Sequence, residues 1–264
     1  MAAPIFRPPE GAVNCHAHVI GPALRFPLDP NSPFPCPAAP AEDLFAMQDE
    51  LGFDRLVIVQ SLAHGPDHAA AADAISRRPE TTRGVALAAR DATPADYRAL
   101  AEQGFVAARI HMLAKLPGRL SPDDMVQAAR CAAEVGWHIE SHCSGVQLEQ
   151  MLGRLPALPC RAVIDHMAYP APTLHESVLR AIENPNVYAK ISAPERVNES
   201  DYRIGAAAAL RLIEKAPEKL VWGNDWPHVG LDHVDEGQLM GLLARYPQDA
   251  VRQILVDTPG ALYF

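Results

Sequence analysis

Eight short apolar runs, each followed by a stretch of helical spacing, constrain this chain more than any other feature. The runs begin at Val13, Arg55, Gly84, Val106, Trp137, Ala162, Val187 and Lys219. Near-continuous apolar runs of strand length are the signature of parallel strands buried on both faces. Between them lie helical signals: Leu44, Phe45, Met47 and Leu51 before Gly52, and the cap sequences Thr93-Pro94 and Ser121-Pro122. Eight strand–helix repeats make the expected fold a single-domain (β/α)8 TIM barrel over residues 1–264, a length usual for that fold. A doubly wound open sheet would place a Gly-rich phosphate turn after its first strand, and none is present. One segment breaks the pattern. Residues 19–40 are crowded with prolines and read as a long irregular loop leaving the first strand, able to fold over the barrel mouth.

Composition narrows the class. A net charge of -9 argues against nucleic acid as a partner, and no apolar run approaches the ~20 residues that span a bilayer. Five cysteines without paired spacing suit a reducing compartment, so a soluble cytoplasmic protein is expected. Oligomeric state is not legible.

In such a barrel the active site forms at the C-terminal ends of the strands. There the sequence places His16 and His18, then Gln60, Ser61 and His64, then Arg109 and His111 with Lys115 and Arg119 following. Further along come His142, Asp165 and His166, then Lys190, Ser192 and Arg196, and finally Asp225 and His228. His16 and His18 share one side of their strand. Two chemistries suit the set. His16, His18, His142 and Asp225 could hold one divalent ion, zinc or manganese, with a position open for water. Alternatively no metal is present, and Asp225 deprotonates water while the histidines polarise a carbonyl. Two ions are not expected, because strand four ends in Arg109 and His111 with no lysine or glutamate to bridge them. Arg109, Lys115, Arg119 and Arg196 stand out in an acidic chain and point to an anionic substrate, since guanidinium forks bind carboxylates.

These residues also carry a resemblance. The His-x-His of strand one, the strand-six histidine and the strand-eight aspartate resemble the amidohydrolase superfamily. The stretches Cys15–Pro22, His64-Gly65, Asp165-His166-Met167, Pro194-Glu195-Arg196 and Trp222–His228 resemble the subgroup of 2-pyrone-4,6-dicarboxylate hydrolase and related lactonases. The resemblance implies hydrolysis of a small carboxylated lactone, of the pyrone, muconolactone or sugar-acid kind. Asp225 would be the general base, with His16, His18 and His166 stabilising the carbonyl oxygen. Arg109, Lys115, Arg196, His64 and Tyr169 would bind substrate. A lactone isomerase of the same subgroup and a metal-dependent decarboxylase of the wider superfamily are the enzymatic alternatives. A barrel that binds an anion without turning it over is the non-enzymatic one, disfavoured because a pure binder needs no base opposite the His pair. Lys115 and Tyr169 stand where the pyrone enzyme has arginines, and His142 stands where it has a tyrosine.

Overall fold

A computed structural model describes residues 6–32, 34–113, 116–168 and 174–264. The eight strands are β1 (Val13–Ala17), β2 (Arg55–Val59), β3 (Thr82–Leu87), β4 (Phe105–His111), β5 (His138–His142), β6 (Ala162–Ile164), β7 (Val187–Lys190) and β8 (Leu220–Val221). They pair in parallel and in sequence order. Seven helices follow the first seven strands: α1 (Ala41–Leu51), α2 (Ala69–Arg77), α3 (Pro94–Ala101), α4 (Pro122–Glu134), α5 (Gly145–Met151), α6 (Glu176–Ala181) and α7 (Tyr202–Lys215). The chain ends in α8 (Glu236–Leu243), α9 (Gln248–Arg252) and α10 (Thr258–Tyr263). The last strand is shorter than the run Lys219–Asp225 suggested. Closure nevertheless continues past it: Cys15 N–H donates to Trp222 O (2.9 Å), Asp225 N–H to His16 O (2.9 Å) and His18 N–H to Trp226 O (2.8 Å). The ring of strands is therefore complete, and the expected (β/α)8 barrel is the observed one.

Capping follows the sequence signals. Thr93 and Ser121 each accept the backbone N–H three residues on, while Asp96 and Asp124 bond back, forming two capping boxes with proline in the first turn. The helix after β2 starts at Ala69, whose N–H the Asp67 carboxylate accepts at 2.9 Å.

Two apolar layers hold the barrel. One lies between strands and helices. The other fills the lower interior with Val13, Cys15, Val57, Val85, Val163 and Val221, sealed from below by Leu262 and Tyr263 of α10. Strand β1 does not alternate simply. Its register to β2 shifts between Asn14 and Ala17, so Cys15 joins the interior apolar cluster and the next residue, His16, also faces inward. Asn14 turns the other way, to Gln48 of α1 and to Asn224. The 19–40 loop is tied at its ends by an Ile20–Ala39 bridge and reaches the barrel mouth through Phe34.

Closure demands a glycine at 223. A Cβ there would stand 2.5 Å from His16 N and 2.5 Å from His16 Cβ. Gly223→Ala is expected to destabilise by about 1–3 kcal/mol, the usual cost of overpacking. Gly241 of α8, with nothing within 4 Å of its added Cβ, should gain about 0.5–1 kcal/mol on the same substitution. Denaturant melts of the two variants check both signs.

Candidate active site

An ionic layer crosses the barrel above its apolar floor. Asp165 at the end of β6 takes the Arg109 Nε–H on Oδ2 at 2.6 Å. Its Oδ1 faces Lys190 Nζ at 3.2 Å. Lys190, on β7, also donates to Glu140 Oε2 at 2.5 Å, and Tyr263 OH donates to Glu140 Oε1 at 2.6 Å. All four charged side chains are buried. Ions taken out of water at this depth persist only when paired. Burial alone would push Asp165 up, but Lys190 and then Arg109 outweigh it and hold the carboxyl well below its ordinary range. Burial likewise opposes the Lys190 charge, and Asp165 and Glu140 reverse it, raising the ammonium.

Above this layer the catalytic candidates converge on one oxygen. Asp225 Oδ1 lies 3.4 Å from His18 Nε2, 3.5 Å from His16 Nε2 and 3.9 Å from His166 Nε2. Its other oxygen, Oδ2, takes Arg196 through Nε at 2.8 Å and Nη2 at 2.8 Å. Burial pushes Asp225 up, yet Arg196 and then His166 more than offset it, so the carboxylate stays ionised. The backbone is left-handed at Asp225 (φ 67°) and at His166 (φ 49°), a conformation a non-glycine residue holds only when its surroundings enforce it.

Hydrogen-bond partners fix the ring tautomers. His18 Nδ1 lies 2.8 Å from Val59 O, which only accepts, so Nδ1 carries a hydrogen, and in the neutral ring Nε2 then holds the lone pair. His166 Nε2 accepts from Arg109 Nη2 at 3.4 Å, so its Nδ1–H donates to Ser192 Oγ at 2.8 Å. His16 Nδ1 lies 3.1 Å from the Lys190 ammonium, which only donates, so the His16 hydrogen sits on Nε2. Burial pushes all of His16, His111, His142 and His166 down, His166 to about 4, and these rings are neutral near pH 7.

The residues that the strand ends offered come together only in part. His18, Arg109, His142, His166, Arg196 and Asp225 line one cavity of about 420 Å³ at the C-terminal face, and His16 stands against Asp225 at its floor. His64 does not join them. Its Nδ1 bonds Pro27 O at 2.9 Å and its Nε2 accepts Gly21 N–H at 3.0 Å, so both ring nitrogens latch the 19–40 loop and none is left for substrate. Arg109 and Arg196, expected to bind substrate carboxylates, each already hold a protein carboxylate. Lys115 and Tyr169 lie outside the described residues. Glu140 and Tyr263 went unnoticed in the sequence. For Glu140 a signal existed, since His138, Glu140 and His142 alternate along a buried strand and so share its inner face. Tyr263 offered none.

The metal expectation is met in part. His16, His18 and Asp225 do lie together as possible ligands, and His16, Asp165 and His166 form a second such group. His142 belongs to neither; its Nδ1 is 2.9 Å from His111 Nδ1. The 3.4–3.5 Å separations around Asp225 Oδ1 match the edge of a tetrahedron with bonds of about 2.1 Å. In spacing the first group suits one divalent ion. In protonation it does not, because the His16 nitrogen that faces Asp225 carries hydrogen. The second group already contains the Lys190 ammonium, which repels a second ion.

Comparison with known proteins places the chain in a family. The amidohydrolase family model matches residues 13–264, and the chain belongs to that family. It is 34% identical to a 2-pyrone-4,6-dicarboxylate hydrolase of Comamonas testosteroni, over 99% of this chain and 92% of the relative. A 4-sulfomuconolactone hydrolase of Rhizobium radiobacter is 30% identical over 99% of this chain and 93% of its own. An apo crystal structure from Agrobacterium tumefaciens superposes with a TM-score of 0.85 at 27% identity, covering 99% of this chain and 98% of that one.

The shifted histidines set a pH dependence of stability. Burial holds His16, His68, His111, His142 and His166 below 6.5 in the fold, where the unfolded chain binds protons, so stability falls as pH drops beneath that value. His228 behaves oppositely. Burial disfavours its charge, but Glu195 and Glu236 raise it to about 9, and its contribution is full below 6.5 and lost as pH rises through 9. Stability should therefore peak near pH 6.5–7. Each proton contributes a slope of up to about 1.4 kcal/mol per pH unit, steeper in total on the acid side. Urea melts from pH 4.5 to 9.5 check the asymmetry.

Proposed function

We propose that the protein hydrolyses the ester bond of a small carboxylated lactone. The reading is supported above all by one observation: an ionised carboxylate oxygen, Asp225 Oδ1, within 3.4–3.9 Å of three imidazoles at the floor of the cavity. Asp225 Oδ1 and His18 Nε2 are two acceptors 3.4 Å apart, which a single water satisfies by donating one hydrogen to each. Asp225 takes one of those protons as the water oxygen bonds to the lactone carbonyl carbon. The charge that develops on the carbonyl oxygen meets the His16 Nε2–H, a buried donor with no partner among the described residues. The ring C–O bond then breaks, and the departing oxygen takes the proton from Asp225. The product is an open-chain acid with a new hydroxyl, which for an enol lactone is an enol that tautomerises to the ketone.

The cationic walls select the substrate. Arg109 and Arg196 line the cavity while bonded to Asp165 and Asp225, and both draw in carboxylates. Pyrone, muconate and sugar-acid lactones, compounds of aromatic and sugar-acid breakdown, carry such groups. No step needs a metal ion; one zinc or manganese at His16, His18 and Asp225 would supply an acidified water, but only with the opposite His16 tautomer. No helix among the described residues is long and apolar enough to cross a membrane. We place the enzyme in the cytoplasm, where its five free cysteines would stay reduced.

A panel of these lactones, followed by proton release and product analysis, tests the reading. Asp225→Asn should lower turnover by about 10²–10⁴. Arg196→Met should weaken turnover of anionic lactones more than of neutral ones. A rearranged lactone as product would make the enzyme an isomerase, and retention of more than half the activity in Asp225→Asn would remove the base.

A further inference from the structure

The geometry points to Lys190 as a positioning residue that fixes His16 in the tautomer with hydrogen on Nε2. It thereby makes His16 a hydrogen-bond donor to the reacting carbonyl and closes the His16–His18–Asp225 group to a metal ion. The use of that donor rests on the proposed hydrolysis; the tautomer itself does not.

His16 Nδ1 has two neighbours. Lys190 Nζ is at 3.1 Å, within hydrogen-bond range, and Asp165 Oδ1 is at 3.6 Å, beyond it. An ammonium donates and never accepts, so Nδ1 meets it with a lone pair. A doubly protonated ring would set N–H against N–H at the same 3.1 Å. The single ring hydrogen is therefore on Nε2, the atom aimed at Asp225 and without a hydrogen-bond partner among the described residues.

Lys190 has no freedom to turn away. It is fully buried, and Glu140 and Asp165 both hold it. Glu140 is held in turn by Tyr263 of α10, so the helix that plugs the bottom of the barrel fixes the ring at its mouth through two intervening side chains. His18 shows the contrast. Its Nδ1–H bonds a backbone carbonyl, the arrangement that leaves Nε2 ready for a metal. Without the ammonium, His16 Nδ1 would carry hydrogen toward Asp165, and two imidazole lone pairs would then face Asp225.

Nitrogen-15 NMR of histidine-labelled protein reads the tautomer directly, with the His16 signals assigned by their loss in His16→Asn. Wild type should show hydrogen on Nε2 and none on Nδ1; hydrogen on Nδ1 overturns the proposal. The double variant Lys190→Met with Glu140→Gln removes one charge of each sign and keeps an acceptor for Tyr263. It should shift the hydrogen to Nδ1 and bind zinc at least tenfold more tightly than wild type in calorimetric titration. Equal zinc affinity in the two proteins, or an unchanged tautomer in the variant, also overturns it. On the metal-free proteins kcat should fall about 100-fold, the cost of one lost oxyanion donor, with KM little changed. The spectrum and the titration involve no lactone, so they can fail while the hydrolase reading stands, and the reverse.

Discussion

The Lys190 ammonium, buried between Glu140 and Asp165 in the middle of the barrel, is the interaction on which the site depends. Most barrels fill this level with branched apolar side chains. Here Glu140, Lys190, Asp165 and Arg109 form one run of buried ion pairs, and Asp225 with Arg196 forms a second pair that His16 links to it. The charges balance among themselves. An ion pair at this depth contributes little net stability over an apolar pair of the same shape, but removing one member strands its partner in a low dielectric. The layer is rigid for that reason, and a rigid layer holds His16, His166 and Asp225 in place before substrate arrives.

The same balance bears on the chemistry. Asp225 is a weak base as long as Arg196 sits on its second oxygen, because the guanidinium favours the ionised form. A substrate carboxylate entering the cavity competes for that guanidinium. In the proposed reaction, every increment of Arg196 drawn toward substrate would make Asp225 more basic, so an anionic group would be both a handle for binding and an aid to proton transfer. A neutral lactone has neither effect.

The fold was legible because buried parallel strands leave uninterrupted apolar runs, and eight of them with helices between admit few architectures. The membership of the site was legible too, since strand ends in a barrel converge wherever their sequences put histidine, arginine or aspartate. What each residue does there was harder to read. Arg109 and Arg196 look from sequence like substrate clamps, whereas partners 56 and 29 positions away in the chain claim them first. His64 looks like a pocket residue and is a latch for the proline-rich loop. The bulge that turns His16 inward beside Cys15 leaves no trace in the composition of its strand. Tyr263 bonds Glu140 across 123 positions, a separation over which local pattern carries no information.

The central claim is that Asp225 acts as a base on water held at the floor of the cavity. Hydrolysis of a turned-over lactone in water enriched in oxygen-18, under single-turnover conditions, tests it most directly. Mass spectrometry of the product and of the peptide containing Asp225 locates the label. Base catalysis predicts one oxygen-18 in the new carboxylate of the first turnover and none in Asp225. An unlabelled first product with label later in the Asp225 side chain would show that the carboxylate attacks the substrate itself, and would contradict the account.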